Sequence, residues 1–239
     1  MTQMKKFFPV FGLLLGTLIF SACNKKEQII QTVDEGDAVE IIEAAFQTSA
    51  GGVTTNLEDL ADQLTTAISS GLLCDSMYNY TAQRDYQGTQ LQASYGSDIS
   101  FEMVCNNFDI PQSATIAAVT ASNYNTQRIN SDDDSDFEGT VTGLQPSALQ
   151  MTFNATFNRI GAQQLLFKNQ NNINSNLSLN LNDVKLEKQS QEIVSGTGSF
   201  TFTGTVNSET FSYAGNITFN GGKTATIVIN GTTYTIDLN

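Results

Sequence analysis

An acidic segment in the middle of the chain carries residue types that bind hard cations. Asp132, Asp134 and Asp136 alternate within residues 132–139, and Ca²⁺ prefers several oxygen ligands of this kind. The segment departs from an EF-hand loop, because Gly143 stands where the bidentate glutamate belongs. The sequence therefore predicts either a Ca²⁺ site at these three aspartates or a solvated acidic loop, and no other cofactor.

The absence of histidine limits the catalytic chemistry of the chain. A Ser-His-Asp triad, a Cys-His pair and a His-based zinc site are all excluded. Two facing Asp or Glu side chains are still able to hydrolyse a glycosidic bond, but none stands in a recognisable setting. We therefore predict that the protein is not an enzyme, with a glycan-directed hydrolase as the alternative.

Aromatic residues cluster in one stretch, which contains Tyr78, Tyr80, Tyr86 and Tyr95. Such side chains could line a carbohydrate-binding surface. Cross-strand pairing and core packing explain the cluster more simply, because aromatic residues contribute strongly to both. We prefer the packing interpretation.

Two of the three cysteines are expected to form a disulfide. Cys74 and Cys105 are the natural pair, because two thiols in an exported protein usually combine. The bridge would close a loop of about 30 residues and contribute about 3–4 kcal/mol on the chain-entropy model. A redox pair is the less favoured alternative, since the spacing differs from the C-x-x-C motif.

The third cysteine, Cys23, follows an export signal. A positively charged start precedes the uncharged apolar run 7–20, and Ser21 and Ala22 come directly before the cysteine. This small-small-Cys ending resembles the lipobox of bacterial lipoproteins. The resemblance implies that residues 1–22 are removed and that Cys23 is acylated, with palmitate among the chains. The alternative is an ordinary signal peptide in which Cys23 is incidental.

The residues after Cys23 bear on location. Asn24 rather than aspartate follows the cysteine, which by resemblance to bacterial lipoproteins favours the outer membrane. Two or more acyl chains give stable attachment, so we expect the membrane to be a partner through the lipid. Residues 23–36 are polar and suit a flexible tether.

The charge of the chain excludes one class of partner. It has 11 basic and 24 acidic side chains, a formal net charge of −13. Nucleic-acid binding needs clustered Lys and Arg, so we expect no nucleic-acid partner. The acidic excess also argues against electrostatic contact with anionic lipid. An envelope protein or a glycan remains as the candidate partner.

Two helices are predicted within residues 37–70. Asp37 is the candidate N-cap of the first helix, which ends in the breaker 49–52. Thr55 and Glu58 form a capping-box pattern at the start of the second helix. Each helix is apolar on one stripe only, which predicts that both pack against a sheet.

Residues 72–239 show apolar residues at every second position, which predicts antiparallel strands. Turns are expected near Gln87 and Gly88 and at 96–98. A bulge is predicted near Asn182 and Asp183, because the apolar phase shifts there.

The end of the chain predicts a four-stranded meander from about residue 198 to 238. Asn230-Gly231 is a strong signal for a two-residue hairpin. A three-residue loop at 220–222 and a turn at 207–210 complete the meander, with one apolar face and one polar face.

These patterns predict a mainly β fold. The architecture is a large antiparallel meander sheet or a two-sheet sandwich, with two short N-terminal helices packed against it. We expect one β-rich domain over residues 37–239, with the helical pair in 37–70 and the strands in 72–239. A separate N-terminal domain ending before Ser131 is the alternative.

Residues 192–198, 211–221 and 225–238 form segments rich in Thr, Asn and Gly. Together with the lipobox they resemble uncharacterised outer-membrane lipoproteins of Bacteroidota (flavobacterial type). The resemblance implies an envelope location and supplies no catalytic residues. We therefore predict a lipid-anchored cell-envelope protein with a non-enzymatic binding or structural role. The alternatives are the glycan-directed hydrolase and a carrier for an apolar ligand.

Overall fold

The computed structural model describes residues 33–71, 74–167 and 171–239. Two helices come first, α1 Glu35–Phe46 and α2 Val53–Ser69. They are followed by ten strands: β1 Met77–Gln87, β2 Leu91–Cys105, β3 Pro111–Thr126, β4 Ile129–Thr142, β5 Gln150–Leu165, β6 Asn172–Glu187, β7 Ile193–Val206, β8 Glu209–Gly221, β9 Thr224–Ile229 and β10 Thr232–Asp237. Cys23 and the export signal at 1–22 lie outside the described residues, which all belong to one compact unit.

All ten strands form a single sheet, in which each strand pairs antiparallel with the next one along the chain. The predicted meander with two N-terminal helices is confirmed, and the strands form one sheet rather than two. A linear order leaves β1 and β10 as the two edge strands. Because one row of side chains in each strand is apolar, one face of the sheet needs a cover.

The two helices supply that cover. Leu57, Leu60 and Leu64 of α2 are fully buried, and α2 contacts β3 and β5. Phe46 of α1 packs edge-on against Phe219 of β8 with the ring centroids 6.2 Å apart. Burying a side chain of this size contributes about 1.5–3 kcal/mol. The apolar stripes predicted for both helices therefore lie against the sheet.

The first helix begins earlier than predicted. Asp34 is its N-cap and accepts a hydrogen bond from the Asp37 amide at 3.0 Å, so the assignment of Asp37 as the cap was wrong. The start is fixed from outside the helix, because the Tyr213 hydroxyl donates to the Val33 carbonyl at 2.8 Å. Both aspartates suit a cap, and this tertiary contact selects the earlier one.

The capping box predicted for the second helix was also wrong. α2 begins at Val53 after Gly52, and its cap makes no side-chain hydrogen bond. Thr55 instead donates to the Thr48 carbonyl at 3.0 Å and fastens the helix to the connector 47–52.

The turns were predicted with mixed success. The turn after Gln87 and the bulge at Asn182 and Asp183 are confirmed. The turn predicted at 96–98 was wrong, because this stretch lies inside β2. Ser97 faces the interior there and shares a 2.8 Å hydrogen bond with Thr120. Ser97, one of the small polar residues that suggested a turn, therefore belongs to the interior, while Asp98 is exposed.

The Asn230-Gly231 hairpin is confirmed, and it pairs Ile229 with Thr232. The three-residue loop at 220–222 was wrong. A bulge after Phe219 lets β8 continue to Gly221, and a tighter turn joins it to β9. The resulting pairing differs from the expected one by two residues, so every apolar side chain keeps its face.

The disulfide between Cys74 and Cys105 is confirmed, with the Cα atoms 5.8 Å apart. It joins the segment before β1 to the end of β2. The bridge therefore fastens the start of β1 to β2. An edge strand such as β1 pairs with one neighbour only and so has fewer backbone hydrogen bonds than an interior strand.

A buried ion pair crosses the sheet beneath the helices. The Arg159 guanidinium of β5 donates to the Asp133 carboxylate of β4 at 2.6 Å, and the two side chains are 6 % and 1 % exposed. Arg159 also lies over the ring of Tyr124, 5.5 Å from its centroid. Removing one partner from such a pair typically costs about 3–5 kcal/mol, because the other charge is left buried.

Neighbouring polar side chains complete an interior polar cluster formed by Ser131, Asp133, Arg159, Gln163 and Ser175. The Gln163 amide donates to Asp133 at 2.9 Å, and the Ser175 hydroxyl donates to Gln163 at 2.8 Å. Gly161 stands directly opposite Asp133 across the two strands. A Cβ atom at Gly161 would overlap the Gln163 amide nitrogen and the Asp133 carboxylate, so the cluster requires glycine there.

Replacing this glycine should break the cluster. We expect Gly161→Ala to lower the free energy of unfolding by about 2–4 kcal/mol, because the new methyl group displaces the Asp133 and Gln163 side chains. Urea unfolding of the purified protein measures the change. Gly96→Ala is the matched control, since the nearest atom to its new Cβ is 3.9 Å away. Equal losses in the two variants would contradict the role of Gly161.

Candidate functional site

The three aspartates proposed for Ca²⁺ lie in a strand instead of a loop. Asp132, Asp134 and Asp136 all belong to β4 and point to the exposed face of the sheet. Side chains at alternate positions of a strand stand about 7 Å apart, so they do not converge as they would in a loop. In the described part of the chain, no group of three or more His, Cys, Asp or Glu side chains could hold a metal ion.

The buried position of Asp133 was not predicted from the sequence. Its neighbours in the acidic run face solvent, and the alternation of the strand turns Asp133 inward. The available signal in the sequence was Arg159, the one charged residue in the inward-facing row of β5. The ion pair of Asp133 with Arg159 supports the fold. The feature of the sheet that is open to a partner is one of its edge strands.

The two edge strands of the sheet differ in the hydrogen bonds that they receive from the rest of the chain. Along β10, the Asp237 amide donates to the Glu43 carboxylate of α1 at 2.9 Å. The Leu238 carbonyl just beyond it accepts hydrogen bonds from the Thr48 amide at 2.9 Å and from the Thr48 hydroxyl at 2.6 Å. The end of this edge, at Asp237 and Leu238, is therefore capped by α1 and by the connector that follows it.

The β1 edge has no such cap. Among the described residues, the main-chain groups of 79–87 form hydrogen bonds only with β2. The Gly88 amide donates to the Leu91 carbonyl at 2.9 Å. This bond shows that the even-numbered residues of β1 are the ones that form hydrogen bonds with β2. In an antiparallel pair, bonded and non-bonded positions alternate, so the N–H and C=O groups of the odd-numbered residues, including Thr81 and Gln83, point away from the sheet.

The tyrosine cluster falls on this edge. Tyr78, Tyr80 and Tyr86 stand opposite buried residues of β2 and so share the helix-side face of the sheet. Tyr80 and Tyr86 are 41 % and 45 % exposed, whereas Tyr95 of β2 is buried. The period-two spacing of the tyrosines was the signal in the sequence, although it did not show that their strand lies at an edge.

An ion pair holds the middle of β1 against the helices. The Arg84 guanidinium pairs with the buried Asp59 carboxylate of α2. Burial raises the pKa of Asp59 and of the neighbouring Tyr95 hydroxyl, and the positive charge of Arg84 opposes both shifts. The pair fixes the distance between β1 and α2.

A groove runs beside the exposed end of β1. Arg84, Asp85 and Tyr86 form one wall, and Ser49 and Asn239 form part of the other. Its volume is about 310 Å³. We call this space the edge groove; Tyr95 of β2 also lines it.

A larger cleft of about 490 Å³ continues from the edge groove past Tyr86 toward α1. Its acidic groups already have partners within the protein. Glu40 accepts a hydrogen bond from Arg128 at 2.7 Å, and Glu43 is the cap of β10. Burial raises the pKa of the Glu43 carboxyl above its usual value. Both carboxylates therefore hold α1 against the strands through hydrogen bonds within the protein.

Neither α1 nor α2 has the length and apolar character needed to span a membrane. Comparison with protein families, with curated proteins and with solved structures gives no match. The predicted resemblance to flavobacterial-type lipoproteins therefore stays a prediction.

One carboxyl group near the groove makes the stability of the fold depend on pH. Burial raises the pKa of Glu58 of α2 from 4.5 to about 7, with the nearby Lys223 opposing the shift. The folded state thus binds a proton more tightly than the unfolded state, so stability falls as pH rises from about 4.5 through 7. Glu58→Gln should remove this loss, which is on the order of 2 kcal/mol between pH 5 and pH 8.

Thermal unfolding at pH 5 and pH 8 measures the effect. Glu209→Gln, at an exposed position of β8, is the matched control and should follow the unmodified protein. A Glu58→Gln variant with the same pH dependence as the control would contradict the assignment.

Proposed function

We propose that this chain is a lipid-anchored cell-envelope protein that binds an extended polypeptide by adding a strand to the edge of β1. The observation that carries the proposal is the difference between the two edges. Glu43 and Thr48 cap the six-residue strand β10 at its end, at Asp237 and Leu238, while the main chain of 79–87 in the eleven-residue strand β1 bonds only to β2 within the described residues. The acyl anchor at Cys23 and the outer-membrane location belong to the proposal and rest on the export signal.

Strand addition suits the chemistry of this edge. An added strand would bond to the outward N–H and C=O groups, each net bond contributing about 0.5–1.5 kcal/mol. The half-exposed rings of Tyr80 and Tyr86 would supply side-chain contacts, because tyrosine buries a large area and keeps a polar tip. The edge groove adds open space beside Arg84–Tyr86.

The alternative functions have less support. A glycan-directed hydrolase needs two available carboxylates across a bond, and Glu40 and Glu43 of the cleft are held by Arg128 and Asp237. A carrier needs a hollow between helices and sheet, and the side chains in that layer, among them Phe46, Phe137 and Phe157, are fully buried.

Photo-cross-linking in the native envelope tests the proposal. The full chain is expressed in its own cells with a benzophenone amino acid in place of Tyr86, and irradiation should join it to a polypeptide. The same residue in place of Ile160 is the control, because Ile160 is 65 % exposed but lies on a central strand. An adduct specific to position 86 supports strand addition; no adduct, or equal adducts at both positions, would overturn it.

The anchor is tested in the same cells. The unmodified chain should incorporate labelled palmitate and sediment with the outer membrane, and Cys23→Ser should lose the label and leave the membrane fraction. Label that persists in the Cys23→Ser variant would contradict acylation at this residue.

A further inference from the structure

We infer that the strand added to β1 is β1 of a second copy of this chain, so that two sheets join edge to edge about a twofold axis. The inference rests on the proposed function, since it requires that β1 accept a strand. It names the partner of that site.

The charge of β1 favours a second copy. Arg84 and Asp85 are the only charged residues between Met77 and Gln87, so the strand is formally neutral in a chain whose net charge is −13. Two copies therefore approach along this edge without bringing like charges together. Edge strands that avoid self-pairing usually carry lysine, proline or a bulge, and β1 has none of these.

The length of β1 selects one register. Ala82 is the middle residue of Met77–Gln87, and a twofold axis at Ala82 pairs the whole strand with its copy. Thr81 then faces Gln83 of the second copy. Both residues direct their main-chain groups outward, so they form a hydrogen-bonded pair. Ala82 faces its own copy at a non-bonded position, where side chains come closest and a methyl group fits.

The side chains of β1 are complementary in this register. Tyr80 lies opposite Arg84 of the second copy, which places a guanidinium beside an aromatic ring. Tyr78 lies opposite Tyr86, and Asn79 lies opposite Asp85. The twofold axis makes each contact twice. A register centred on Arg84 would instead bring two guanidinium groups together.

A cysteine at the axis tests both the contact and its register. Ala82→Cys is introduced into the full chain, and membranes are isolated without reductant and run on a non-reducing gel. Opposed residues at non-bonded positions are about 4.5 Å apart, within the Cα range of about 4.4–6.8 Å for a disulfide. We expect most of the variant to migrate at twice the mass of the chain.

Two controls define the register. Tyr80→Cys should not form a homodimer, because the two copies of residue 80 lie about 14 Å apart along the strands. Co-expression of a Tyr80→Cys chain with an Arg84→Cys chain should restore the cross-link. A cross-link in Tyr80→Cys alone that equals that of Ala82→Cys would overturn this register.

Sedimentation of the detergent-solubilised chain gives a second measurement that needs no cysteine. The unmodified protein should have the mass of a dimer. Gln83→Pro removes an outward N–H group in each copy and should weaken the dimer at least about 10-fold, whereas Gln83→Ala should not. A monomeric unmodified protein would overturn the inference.

The outcomes separate this inference from the proposed function. If Ala82→Cys gives no homodimer while position 86 cross-links to a different envelope protein, the second copy is ruled out and strand addition stands. If position 86 gives no adduct of either kind, both proposals fail.

Discussion

The apolar row on one face of the sheet must be kept from water, and the rest of the structure depends on how that is done. The ten strands form one sheet, so no second sheet covers the row. The pair α1 and α2 takes that place, with Phe46, Leu57 and Leu64 fully buried against the strands. Because the cover consists of only two helices joined by a short connector, its contacts with the two ends of the sheet are unequal.

That inequality links the fold to the proposed function. Glu43 and Thr48 belong to the helical cover, and they cap the end of β10 at Asp237 and Leu238 while they hold the helices in place. At the other end, the side chains of Asp59 in α2 and Arg84 in β1 form an ion pair. Within the described part of the chain, the main-chain groups of 79–87 make no hydrogen bond on the outer side of β1. The cover that stabilises the core therefore also determines which edge stays open.

Local patterns predicted the elements well where the physics is local. Period-two alternation identified the strands, and Asn230-Gly231 identified its hairpin because its positive φ values require those residues. Predictions from the sequence were wrong where contacts between residues far apart in the chain determine the structure. The acidic run looked solvated, yet Asp133 turns inward to meet Arg159 across a neighbouring strand. The open edge could not be predicted either, because the alternating tyrosines of β1 resemble an interior strand until the strand order is known.

Amide hydrogen exchange of β1 tests most directly the claim that this edge is open and takes a strand. Exchange is compared by mass spectrometry between the chain in its native envelope and the detergent-solubilised chain after dilution to the point at which it sediments as a monomer. In peptides that cover 79–87, the outward amides of the odd-numbered residues should exchange rapidly in the diluted sample and become protected in the envelope, while the Asp237 amide should be protected in both. Equal exchange of the β1 peptides in the two samples would contradict strand addition at β1.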